Sequence, residues 1–116
     1  MTENEFINQF NSELDSLIDN LILEIKSKNI KSEINFYSLV NEHINKIKNE
    51  SENIYENIVK ENNINLDDKI IDASNYTYLT KGLYLNKIRL SILSNKHKDY
   101  NDKAKGLFKS LGLQDY

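Results

Sequence analysis

The stretch Ile70–Leu93, IIDASNYTYLTKGLYLNKIRLSIL, is the densest run of large apolar residues in the chain, and its reading decides the fold. Placed on a helix at about 100° per residue, Tyr76, Leu79, Leu83, Leu90 and Leu93 fall on one stripe. Ile70, Tyr84, Leu85, Ile88 and Ile92 fall roughly opposite. A surface helix needs one apolar stripe, so a helix with two is expected to be gripped from both sides. The expectation is a central helix running from about Asn65, capped by Asn65 with Asp67 and Asp68 in its first turn, to about Ser94.

Two further long helices are predicted upstream. Thr2 with Glu5 three residues on is a capping box, and Ile7, Phe10, Leu14, Leu17 and Leu21 follow helical spacing, widened by Ile18, Ile22 and Ile25. This gives a first helix over about Glu3–Lys28. After a short link, Ser32 is the expected cap of a second helix whose stripe is Phe36, Val40, Ile44, Ile47, Ile54 and Ile58. Ser51 stands where an apolar residue is due. The register survives that gap and no glycine or proline interrupts it, so one continuous helix over Glu33–Glu61 and an elongated molecule are expected. Asn41, Asn45, Asn49, Asn53 and Asn57 recur every four residues and predict a solvated polar ridge. Asn95–Lys98 reads as a break. A short fourth helix then carries Tyr100, Ala104, Leu107, Phe108 and Leu111, and Gly112 is placed to terminate it. The expected fold is therefore all-α, a single-domain antiparallel helical bundle over residues 1–116 with three long helices and a short C-terminal fourth, akin to a coiled coil in its packing.

Composition narrows the function classes. The chain has no cysteine, so thiolate metal sites, disulfides and thiol nucleophiles are absent. Its first ten residues are acidic and polar, unlike a secretory leader, and no apolar run approaches the roughly 20 residues that span a bilayer. A cytoplasmic protein without membrane insertion is expected. The two histidines, His43 and His97, lie on different predicted elements without a Glu-x-x-His pattern, so no metal or other cofactor is predicted. His43 is expected to be half-buried packing beside the second helix's stripe. No phosphate-binding glycine loop, nucleophile elbow or catalytic triad is legible, which predicts no catalytic residues, no small-molecule substrate and no enzyme activity.

Charge is distributed unevenly. Residues 1–80 carry 7 lysines against 15 acidic residues, a net of −8, whereas residues 81–116 carry 8 Lys and Arg against 3 Asp, a net of +5. Lys87, Arg89, Lys96, Lys98, Lys103, Lys105 and Lys109 are the candidate surface for an anionic partner, either nucleic acid or an acidic protein. The competing expectation is that they neutralise the chain's own acidic helices. A single arginine argues against base reading and leaves phosphate contact as the nucleic-acid mode. Tyr84, Leu85, Ile88 and Ile92 are the candidate face for a protein partner or a second copy of the chain, giving a homo-oligomer.

Tyr84-Leu-Asn-Lys-Ile-Arg89, followed by a polar stretch and the short fourth helix, resembles the pediocin-type bacteriocin immunity proteins over about a third of the chain. That resemblance implies a small cytosolic four-helix bundle that protects a cell from a peptide toxin, although the long second helix departs from that family's proportions. A small helical protein with one basic face is also similar to the small subunits of CRISPR effector complexes. That similarity implies contact with a nucleic-acid backbone. The overall expectation is a small non-enzymatic binding or accessory protein. An immunity or defence-system inhibitor and a nucleic-acid-binding small subunit are the alternatives.

Overall fold

The computed structural model describes the backbone of residues 1–72 and 77–112, and the side chains of residues 1–70 and 79–112. Three long helices and one β-hairpin follow in the order α1 (Glu3–Ser27), α2 (Glu33–Glu61), β1 (Lys69–Asp72), β2 (Thr77–Thr80) and α3 (Lys81–Ser110).

Helix α1 begins on the reciprocal capping box: the Thr2 hydroxyl accepts from the Glu5 amide at 3.1 Å and the Glu5 carboxylate accepts from the Thr2 amide at 3.4 Å. Ser32 caps α2 by accepting from the Asn35 amide. Helix α2 runs unbroken through Ser51 for 29 residues, about 43 Å at 1.5 Å per residue. The molecule is accordingly elongated, 54 × 29 × 19 Å, with a radius of gyration of 17.7 Å. A compact chain of this length would have about 13 Å. The five asparagines of the predicted ridge are all exposed along α2.

The region from Asn65 to Thr80 departs from the helix expected there. Asn65 does accept a backbone bond, but from the amide of Asp67, only two residues on, at 3.0 Å. That closes an Asx-turn instead of capping a helix. The chain then forms an antiparallel ladder in which Lys69 pairs with Thr80 and Ile70 with Leu79. The β-branched and aromatic residues of KIID and TYLT favour a pleated strand over a helix. Ile70 and Leu79 thus belong to strands, and Tyr76 lies outside the described residues. The hairpin's root is tied to the preceding turn, where the Lys81 and Gly82 amides donate to the Asp68 and Leu66 carbonyls at 2.6 and 2.9 Å. A side chain at Gly82 would meet the Leu66 carbonyl and Cβ at 3.2 Å, which accounts for glycine at this close approach.

Helix α3 starts where the ladder stops, with the Thr80 hydroxyl accepting from the Leu83 amide at 3.2 Å. It continues for 30 residues to Ser110, so the break expected at Asn95–Lys98 and the separate fourth helix do not exist. The physical reason is packing on both sides of that polar stretch. Leu93 and Tyr100, seven residues apart on one stripe, are both buried, and the stem of Lys96 is drawn against α1. Gly112 does end the helix, at φ 73°, with its amide donating to the Lys109 carbonyl.

The contacts set the helix directions. Phe6 and Phe10 at the start of α1 cluster with Ile58 at the end of α2 and Leu85 at the start of α3. Ile22 and Ile25 cluster with Phe36, Leu39, Tyr100 and Ala104 at the other end. Helices α1 and α3 are parallel and in direct contact, and α2 runs antiparallel to both. The core is therefore two clusters along a rod. Ser51 sits at the waist, fully buried, between Ile47 of one cluster and Ile54 of the other, and its hydroxyl donates to the Lys48 carbonyl at 2.7 Å. Among the described residues, no helix is long and apolar enough to cross a membrane.

Because the Ser51 hydroxyl is satisfied within its own helix turn, Ser51→Ala should leave stability within about 0.5 kcal/mol of the parent. Ser51→Leu should overpack the waist and lower urea-melt stability by about 1–3 kcal/mol.

Candidate functional site: an aromatic groove beside a lysine stripe

The stripe predicted to face a partner is only partly exposed, with Leu85 buried and Tyr84, Ile88 and Ile92 half-buried. Ile88 and Ile92 pack against the first-turn cluster of α1, and the Tyr84 hydroxyl donates to the Glu3 carboxylate at 3.0 Å. In the single chain these four side chains close the bundle at the hairpin end.

The seven basic residues divide into two groups. Lys96 reaches Asp15 at 2.7 Å with only 14% of its side chain exposed, and Lys103 lies 3.7 Å from Asp19. Arg89 donates to the Asn86 side-chain oxygen at 2.6 and 3.0 Å and lies 5.1 Å from the Tyr55 ring centroid. Lys96 and Arg89 serve the chain's own packing, whereas Lys103 is exposed and its ion pair lies at the surface. Lys87, Lys98, Lys105 and Lys109 are exposed and fall within about 40° of one another around α3, a stripe about 33 Å long.

The C-terminal end of that stripe, Lys105 and Lys109, borders the groove between α2 and α3. The groove encloses about 540 Å³ and is lined by Phe36, Tyr37, Val40, Ala104 and Phe108, with Asn101, Lys105 and Lys109 along its rim. Phe108 packs on Phe36 and Tyr37 with ring centroids 5.2 and 5.5 Å apart. Tyr37 remains 46% exposed, and neighbouring Ile34 is 81% exposed. Helix α1 contributes nothing to this lining, and no carboxylate does.

Beneath the groove lies a polar cluster that the sequence reading missed. His43 is buried, with Nδ1 2.7 Å from the Tyr100 hydroxyl and Nε2 3.2 Å from the Glu24 carboxylate. Lys28, first, and His43 hold the Glu24 carboxyl below its ordinary range, so at neutral pH it is an acceptor only. Burial, reinforced by the nearby Glu24 charge, pushes the Tyr100 phenol well above its ordinary range, so it keeps its proton. The arrangement that satisfies every atom has the neutral imidazole donating from Nε2–H to Glu24 and the Tyr100 hydroxyl donating to Nδ1. One contact from each helix thus meets at a single ring. Helical phase alone placed His43 beside the stripe; only the antiparallel pairing of α2 with both neighbours brings Tyr100 and Glu24 to it. Tyr100 is fully shielded and His43 is 2% exposed, so a substrate could not reach either. The second histidine differs: His97 Nε2 is buried without a hydrogen-bond partner. Among the described residues, no group of three or more His, Asp or Glu side chains is placed to hold a metal ion.

No family model, curated protein or solved structure matches this chain. The fold also differs from the four-helix bundle implied by the resemblance to immunity proteins, because it has three helices and a hairpin, and Asn86-Lys87-Ile88-Arg89 lies in the first half of α3.

Tyr100→Phe removes the hydroxyl that His43 depends on and should cost about 1–3 kcal/mol. The same group gives an alkaline signature. As pH rises above 10, an unfolded tyrosine releases its proton while folded Tyr100 retains it, so the folded state binds more protons and stability falls with rising pH. The melting temperature should therefore drop above about pH 10. Tyr100→Phe should flatten that slope, leaving the smaller contribution of Tyr55, which burial raises in the same sense.

Proposed function

We propose that this chain is a small non-catalytic binding or accessory protein that docks on a protein partner through the groove between α2 and α3. The observation that carries the reading is the conjunction of an open aromatic floor with an exposed lysine wall. Apolar lining with a few charged groups at its edge is the usual make-up of an interface core and rim. The face formed by Tyr84, Leu85, Ile88 and Ile92 offers less free apolar surface, because Leu85 is buried and the other three are half-buried.

Self-association through the same groove is the weaker variant. A two-fold contact would bring two copies of the Lys105–Lys109 wall together, and like charges facing each other oppose it. Nucleic acid is the second reading, favoured by the outward stripe of Lys87, Lys98, Lys105 and Lys109. It implies phosphate contacts without base preference and a steep dependence on salt.

A photo-crosslinking amino acid placed at Tyr37 should give a discrete protein adduct in the native host. The same group at Asn49, on the exposed polar ridge of α2, should give none. Adducts at both positions alike, or at neither, would remove the groove as the docking site. Binding of DNA or RNA at about 50 mM salt, where phosphate contacts are strongest, would move the assignment to the nucleic-acid reading.

A further inference from the structure

The groove's chemistry restricts what can fill it. Its lining spans residues 36–40 of α2 and 101–109 of α3, so along α3 it is about 12 Å long, two helical turns. Its floor is apolar throughout, built from Phe36, Val40, Ala104 and Phe108. Its rim carries Lys105 and Lys109, one turn apart, with no carboxylate in the lining. Lys98 continues the same stripe about two turns toward the hairpin end, beside two exposed carboxylates, Asp99 and Asp102. An occupant must therefore be apolar on one side, negatively charged on its flank, and elongated parallel to α3.

Three classes meet the charge requirement, and two fit poorly. A nucleic-acid strand needs free ring faces for stacking, yet Phe36, Tyr37 and Phe108 pack on one another. A longer polyanion would also run past residues 1–80, which carry a net of −8. A second copy of the chain has acidic helices, but the apolar stripes of α1 and α2 are already buried in its own core, and the exposed ridge of α2 is asparagine. We infer that the groove takes an acidic amphipathic helix of a partner protein, with apolar side chains from two successive turns on the aromatic floor and Asp or Glu on its flank paired with Lys98, Lys105 and Lys109. This deepens the docking function proposed above and rests on it.

The probe is a fluorescein-labelled synthetic helix of about five turns, with leucines at alternating three- and four-residue spacings and glutamates on both flanks. Its control keeps the leucines and replaces every glutamate by lysine. By fluorescence anisotropy at low salt, the glutamate peptide should bind about ten-fold more tightly than the lysine peptide, the scale expected of two or three exposed ion pairs. Lys105→Glu with Lys109→Glu should reverse that preference, and Tyr37→Asp should weaken both peptides, each variant keeping its helical circular dichroism. Equal binding of the two peptides, or a preference that survives the charge reversal, would overturn the acidic-helix assignment while leaving the docking reading intact. Binding of neither peptide, together with no adduct at Tyr37 in the host, would overturn both. A dimer formed at high concentration and broken by Tyr37→Asp would assign the groove to a second copy instead, and oligothymidylate binding lost on the charge reversal would assign it to nucleic acid.

Discussion

The imidazole of His43 is the constraint that fixes how the three helices stand against one another. An apolar stripe can slide by a turn and still bury most of its surface, because hydrophobic burial is non-directional. A buried imidazole cannot slide, since either nitrogen left unsatisfied costs about 1–3 kcal/mol. With Tyr100 of α3 on one nitrogen and Glu24 of α1 on the other, the ring fixes the axial position of both neighbours relative to α2. Lys28 in turn holds Glu24 at 3.2 Å, so the network ends at the surface in an exposed ion pair and leaves no isolated buried charge.

That lock also accounts for the open flank. Helix α1 covers one side of the α2–α3 seam and reaches it through Lys96–Asp15 and the core clusters. A fourth helix folding back would have been the element to cover the other side. The residues expected to form it instead extend α3 in a straight line, because Leu93, Tyr100 and Ala104 keep one buried face across the polar stretch between them. Phe36, Tyr37 and Phe108 then meet at the far end with nothing from the described residues over them.

Much of this architecture, the first two helices and the end of the last, was legible because its signals are local. The Thr2–Glu5 box, the Ser32 cap, the continuity through Ser51 and the stop at Gly112 each depend on a few adjacent residues. The hairpin was illegible because Leu79, Leu83 and Leu90 also satisfy a helical period, and a short apolar run obeys either geometry. The discriminating signals were the β-branched and aromatic enrichment of KIID and TYLT and the Asx-turn chemistry of Asn65. Tyr100 and Glu24 could not be joined to His43 from the sequence, since they are separated from it by 57 and 19 residues and meet only through tertiary packing.

The basic segment shows why charge counted along a chain is an incomplete guide to a surface. Eight cations in residues 81–116 suggest one uniform patch, yet α3 distributes seven of the candidate residues by phase. Lys96, Lys103 and Arg89 point toward α1 and α2, where Lys96 is nearly enclosed and Arg89 lies against an aromatic ring. Lys87, Lys98, Lys105 and Lys109 lie on the exposed side of α3. The two groups lie on opposite faces of one helix: Lys96 and Lys103 pair with carboxylates of α1, and the outer four lysines form an exposed basic stripe on a molecule whose net charge is negative. A stripe of one sign on a body of the other gives the molecule a directional field that charge counted along the chain does not reveal.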